Sequence, residues 1–267
     1  MTWAQESDIG RIQIELTNYC NAACPQCERF HLKELSEQTP EEREVRWKGS
    51  TNWDLSLNNT YISLKEIKET FIKGRWKHLD NIHYCGNVDE PVINPDIIEI
   101  IKYMDTLAPN IKMHIATNGG IRSVEFWKEL GKLSANMNER LIVVWGIDGL
   151  EDTNHLYRKN VEWNRLQENW RAYISAGGRA KWQFIVFSWN QHQLNEVKSY
   201  SESEGFNRFH IIQSVRGPND DKIKNIEIPE NYGRYVPSHI KKACKEMGVE
   251  PTRKNYLEIL NATKDRN

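Results

Sequence analysis

Apolar runs of strand length alternate with helix-period segments from Arg11 to Ile212, and that rhythm admits few folds. Strands are expected at 11–16, 81–85, 112–116, 141–147, 182–187 and 208–212. Helices read between them near 64–73, from Pro95 to about Leu107, and at 123–133, 163–175 and 191–204. Pro95 suits a first helical turn, and Gly177-Gly178 stops a helix before the next strand. Parallel strands joined by helical crossovers keep one hand and therefore curl. The expected fold class is α/β, a partial (β/α)6 barrel.

Two stretches depart from this rhythm. Residues 28–63 are polar and weakly periodic, which reads as an insertion within a core domain spanning 1–213. From 214 to 267 the chain is charged and rich in breakers, with short helical pieces at 241–247 and 256–262, and reads as a C-terminal extension. Lys and Arg number 36 against 37 Asp and Glu, so no basic field marks a nucleic-acid or anionic-membrane partner. The N-terminal MTWAQESDIG lacks the pattern of a leader, and no run approaches the roughly 20 apolar residues of a membrane span. A cytoplasmic protein is expected.

The five cysteines fit a disulfide framework poorly, because three of them crowd into eight residues, Cys20-Asn-Ala-Ala-Cys24-Pro-Gln-Cys27. Soft thiolates on one tight loop at the end of the first strand suit iron-sulfur or zinc coordination. Their number matters. A closed zinc or ordinary [4Fe-4S] site takes four protein ligands, whereas three leave one metal position open to an exogenous ligand. Zinc would need a fourth donor, and His31 is the obvious local candidate.

This CxxxCxxC at a strand end resembles the signature of the radical S-adenosylmethionine (SAM) superfamily, and further motifs follow in family order. Tyr84-Cys85-Gly86-Asn87-Val88-Asp89-Glu90-Pro91 looks like an extended form of the glycine-rich GGEP element. His114-Ile115-Ala116-Thr117-Asn118-Gly119 is similar to the strand ending in TNG. Trp145-Gly146-Ile147-Asp148-Gly149 resembles the SIDG element of the SPASM/twitch group, with Gly146 in place of Ser, and Arg158 stands where that group has an arginine. Gln26 replaces a frequent aromatic residue.

The resemblance implies that Cys20, Cys24 and Cys27 are the catalytic centre and the metal ligands of one [4Fe-4S] cluster, whose fourth iron takes the amino and carboxylate groups of SAM. One electron then cleaves SAM to a 5'-deoxyadenosyl radical, the oxidoreductase-like chemistry that abstracts hydrogen from substrate. Gly86, Asn87, Glu90, Asn118, Asp148 and Arg158 are the implied cofactor-binding residues, with Glu90 on the SAM amino group and Arg158 on its carboxylate. The strand 182–187 with Asn190 would flank the adenine. The implied partners are a peptide or small-molecule substrate and an electron donor such as flavodoxin or ferredoxin.

SPASM/twitch relatives carry additional C-terminal cysteines for auxiliary clusters, but here only Cys244 follows the barrel, so no auxiliary cluster is expected. Cys85 and Cys244 read as buried thiols. The ten tryptophans share no spacing and read as packing residues, and His83, His114 and His155 form no recognisable metal pair. The competing reading is a non-catalytic zinc- or cluster-binding interaction module on the same scaffold. Glu90 with Arg158 separates the two, because a structural metal site has no use for an ammonium acceptor and a carboxylate donor beside an open position.

Overall fold

A computed structural model describes residues 9–25, 27, 60–84, 88–108, 110–187, 189–213 and 248. The chain divides into two compact units, Met1–Glu227 and Ile228–Asn267, and the elements below belong to the first. The expected insertion lies almost wholly outside the described residues, as do the C-terminal helical pieces, Cys85, Cys244, Gly86 and Asn87.

Six strands form one sheet in the order of the sequence, and every neighbouring pair is parallel. They are β1 (Arg11–Ile14), β2 (Asn81–Tyr84), β3 (Lys112–Thr117), β4 (Leu141–Gly146), β5 (Arg179–Val186) and β6 (Arg208–Gln213). Between them run α1 (Leu64–Thr70), α2 (Ile97–Asp105), α3 (Val124–Asn136), α4 (Asn154–Tyr157), α5 (Trp163–Ser175) and α6 (Leu194–Ser203). A sheet that always advances to the next neighbour through crossovers of one hand collects its helices on one face. This is the expected α/β arrangement of partial (β/α)6 type, with β1 and β6 as edges among the described residues.

Burial alternates with period two along the strands, which separates two faces. Ile82, Tyr84, Met113, Ile115, Leu141, Val143, Trp145, Trp182 and Phe184 are buried on the helix side. Gln13, His83, His114, Lys181 and Gln183 point the other way, Gln13 exposed and the other four partly so. That polar inward face explains the late sequence-based start of β5: the strand begins at Arg179, and its inward Arg179 and Lys181 mask the apolar run.

The core is built on aromatic rings. Trp127 and Trp145 lie 4.5 Å apart between ring centroids, and Tyr173 packs on Trp145 at 5.9 Å. Trp170 and Trp182 lie 5.5 Å apart, with Phe206 5.0 Å from Trp182. These tryptophans are packing residues. Helix starts follow local rules: Ser63 and Glu66 cap α1 reciprocally, and the Ser123 hydroxyl accepts from the Phe126 N–H. The helix expected from Pro95 begins later, at Ile97, after Asn94 Oδ1 accepts from the Asp96 N–H at 2.8 Å and so turns the chain first.

Helices α3 and α5 touch closely at Gly131, where a Cβ would stand 2.4 Å from the Tyr173 carbonyl oxygen. Backbone cannot yield there as a side chain does. Gly131→Ala is expected to lower unfolding free energy by about 1–3 kcal/mol in chemical denaturation.

Candidate active site

The site grows from the C-terminal end of β1. Leu16 leaves the ladder because side chains claim its backbone: Asp89 Oδ2 accepts from its N–H at 2.8 Å, and its carbonyl accepts from Asn94 Nδ2 at 3.0 Å. That is why the strand stops at Ile14 and not at the expected Leu16. Burial and the neighbouring Glu15 carboxylate push the Asp89 carboxyl well above the usual range. Sequence reasoning gave Asp89 no role. Its only signal was its place beside Glu90.

The thiol loop that follows is tied down on both sides. Glu90 donates its N–H to the Tyr19 carbonyl at 2.9 Å, and Ala23 donates to the Lys159 carbonyl at 3.0 Å. Cys24 is buried, while Cys20 and Cys27 are partly exposed. Among the described residues no three His, Cys, Asp or Glu side chains converge on a point where one metal ion could sit. The thiols are thus not gathered as a single-ion site would require.

Two polar side chains face the thiols. Asn118 Nδ2 lies 3.6 Å from the Cys20 sulfur, and Arg158 Nη1 lies 3.8 Å from that of Cys24. Asn118 also exchanges amide hydrogen bonds with Asn21, at 2.9 and 3.1 Å. Asn21 was missed in the sequence, where only its position directly after Cys20 could have marked it. Gly119, at φ +69°, completes this strand tip, because a Cβ there would meet the Trp145 ring at 2.5 Å.

Glu90 is 2 % exposed. Its Oε2 accepts from the Asn118 N–H at 2.7 Å, whereas Oε1 is buried with no hydrogen-bond partner. Burial pushes this carboxyl up to about 7, against the lowering influence of Thr117, the Asn118 N–H and the Arg158 charge. An orphaned buried carboxylate oxygen beside a thiol loop calls for a cationic donor.

Asp148 is fully buried and has both oxygens engaged. Oδ2 accepts from Arg158 Nε at 2.6 Å and Oδ1 from the Ile185 N–H at 2.6 Å. Burial pushes Asp148 up, offset by Arg158 and that N–H. Burial also works against the Arg158 charge, but Asp148 and Cys24 beside it hold the guanidinium firmly protonated. Gly146 makes this arrangement possible, since a Cβ there would lie 2.6 Å from Arg158 Nη2. The position where the resembling motif carries a serine is filled in space by Arg158.

Asn190, expected near an adenine, is a buried clasp. Its amide donates to the Asp148 and Ile185 carbonyls at 2.8 and 2.9 Å, and its Oδ1 accepts from the Phe187 N–H at 2.7 Å. Of the implied site residues, the structure brings Glu90, Asn118, Asp148 and Arg158 to the strand ends around the three cysteines.

No protein-family model and no curated protein matches the sequence. Solved structures do. Radical SAM enzymes with a similar fold include anSMEcpe with bound AdoMet, at 15% identity and TM-score 0.53 over 77% of this chain and 50% of that one. Another is SuiB of Streptococcus suis bound to S-adenosylmethionine, at 13% identity and TM-score 0.55 over 97% of this chain and 48% of that one. SuiB bound to its precursor peptide SuiA matches at 15% identity and TM-score 0.53 over 76% of this chain and 38% of that one. The chain has the fold of the radical SAM enzymes and spans about half the length of these structures or less.

Proposed function

We propose that this protein is a radical SAM enzyme that holds one [4Fe-4S] cluster on Cys20, Cys24 and Cys27 and binds SAM between Glu90 and Arg158. The observation that carries the reading is the buried Glu90 carboxylate, whose Oε1 has no partner while its Oε2 is fixed by the Asn118 N–H. The SAM ammonium matches that vacancy in charge and in donors. The bound AdoMet of anSMEcpe and SuiB, on the same fold, supports the assignment.

When bound, the cluster supplies the electron that cleaves SAM to a 5'-deoxyadenosyl radical, which takes hydrogen from substrate. The chain's own residues bind and orient. Glu90 accepts from the SAM ammonium, and Arg158, held by Asp148, presents its remaining guanidinium N–H groups to the carboxylate. Asp148 is then a positioning residue and not a direct contact, because both its oxygens are engaged within the protein. Asn118 orients Glu90 through its backbone and faces the Cys20 sulfur through its amide. Gly86 and Asn87 belong to the same proposed SAM site by their motif.

A peptide is the substrate class that the neighbours favour, since SuiB is bound to precursor peptide SuiA and anSMEcpe to the Cp18Cys peptide. A flavodoxin or ferredoxin would supply the electron. Among the described residues no helix is long and apolar enough to cross a membrane, and a cytoplasmic location fits an oxygen-sensitive cluster.

The test is anaerobic reconstitution with iron and sulfide, then reduction with SAM and chromatography for 5'-deoxyadenosine. Product formation is expected. A folded protein that takes up stoichiometric zinc but no cluster would overturn the reading in favour of a structural metal module. Gly146→Val probes the Arg158 arm separately. It should push the guanidinium from its place and weaken SAM binding about tenfold, while iron content stays at the wild-type level. Equilibrium dialysis with labelled SAM reads the first and iron analysis the second.

A further inference from the structure

The Asn118 side chain is buried directly beyond the end of β3, against the thiol loop. A backbone group tells the two ends of its amide apart. The Gly120 N–H can only donate, and it meets Asn118 Oδ1 at 2.9 Å, so the nitrogen is the other end. Asn21 reads the same polarity: its Nδ2 donates to Asn118 Oδ1 at 3.1 Å, and its Oδ1 accepts from Asn118 Nδ2 at 2.9 Å. One hydrogen of Asn118 Nδ2 is thus engaged by Asn21. The other is left for the Cys20 sulfur, 3.6 Å away, a separation at which the larger sulfur atom accepts.

The loop holds donor and acceptor together. Tyr19 and Ala23, on either side of Cys20 and Asn21, are tied to the Glu90 N–H and the Lys159 carbonyl at 2.9 and 3.0 Å. Asn21 follows Cys20 directly, so the residue that orients the donor sits on the same stretch of backbone as the sulfur. Iron does not explain this amide pair, since thiolates are the ligands such clusters take. Nor does the orientation of Glu90, which uses the Asn118 backbone N–H and not its side chain.

An N–H aimed at a thiolate stabilises negative charge on the sulfur. One electron, supplied by a donor of the flavodoxin or ferredoxin class, takes a [4Fe-4S] cluster from its oxidised to its reduced form and adds to that charge. The hydrogen bond is therefore stronger in the reduced state and draws the reduction potential upward. Burial of Asn118 strengthens the effect, because water does not compete for the sulfur from that side.

We propose that the Asn118 amide donates to the Cys20 thiolate and raises the reduction potential of the cluster, with Asn21 as the positioning residue that aims it. The proposal rests on the radical SAM reading and adds to it a means by which the chain sets how readily the cluster accepts its electron.

The reconstituted full chain, without SAM, is titrated anaerobically through its reduction, and the electron paramagnetic resonance signal of the reduced cluster gives the midpoint potential. Asn118→Ala is expected to make reduction about tenfold less favourable, about 60 mV for one electron, at wild-type iron content. Asn21→Ala should shift the potential in the same direction by less, because the Gly120 N–H still holds the Asn118 oxygen. Asn21 is partly exposed, so this second variant decides the matter should Asn118→Ala lose its cluster. SAM is left out because an Asn118 that served SAM alone would leave the potential in place. A shift in Asn118→Ala without one in Asn21→Ala removes Asn21 from the proposal. Equal potentials in the wild type and both variants overturn the proposal while leaving the cluster assignment intact. A wild type that takes up no cluster overturns the radical SAM reading and this proposal with it.

Discussion

Cys24→Ala should yield a folded protein that takes up no stable cluster and forms no 5'-deoxyadenosine, against about four irons per chain in the reconstituted wild type. Two thiolates cannot hold three irons of a cubane; the Arg158 guanidinium that faces the Cys24 sulfur is a donor and not a ligand, and the Asp148 carboxylate has both oxygens engaged within the protein. The substitution removes one buried sulfur, a loss of about 1 kcal/mol or somewhat more. The unreconstituted variant should therefore unfold close to the wild type. Iron content, the visible charge-transfer band and the electron paramagnetic resonance signal of the reduced protein report on the cluster apart from turnover. A variant that keeps wild-type iron and signal would remove Cys24 from the ligand set.

The fold was legible in the sequence because strand-length apolar runs and helix periods are local signals, and all six strands appear in the order read. The ends of elements were not, because distant side chains decide them. Leu16 is withdrawn from β1 by Asp89 and Asn94, residues more than seventy positions away. The motifs located Glu90, Asn118, Asp148 and Arg158 but not their division of labour. Only the structure separates Glu90, with an oxygen left over, from Asp148, with none. Gly146 is the clearest case. As a letter it is a missing hydroxyl, whereas in space it is the room that Arg158 occupies.

Glu90→Gln should move stability and ligand binding in opposite directions. In the ligand-free protein the carboxyl is raised from 4.5 to about 7, so between those values the folded state holds a proton that the unfolded state has released. Folded chains then bind more protons than unfolded ones, and stability falls as pH rises from 4.5 to about 7, where the loss is complete. The shift corresponds to about 3 kcal/mol. A neutral Gln escapes this cost, and denaturant unfolding at pH 8 should show the variant more stable by on the order of 1–3 kcal/mol, with the difference vanishing near pH 4. SAM binding should respond oppositely, because its ammonium loses the charged acceptor. Affinity at pH 8 should drop at least about tenfold, and the wild type should lose affinity as pH falls through 7, whereas the variant should not. A purely structural Glu90 would leave SAM affinity untouched by the substitution.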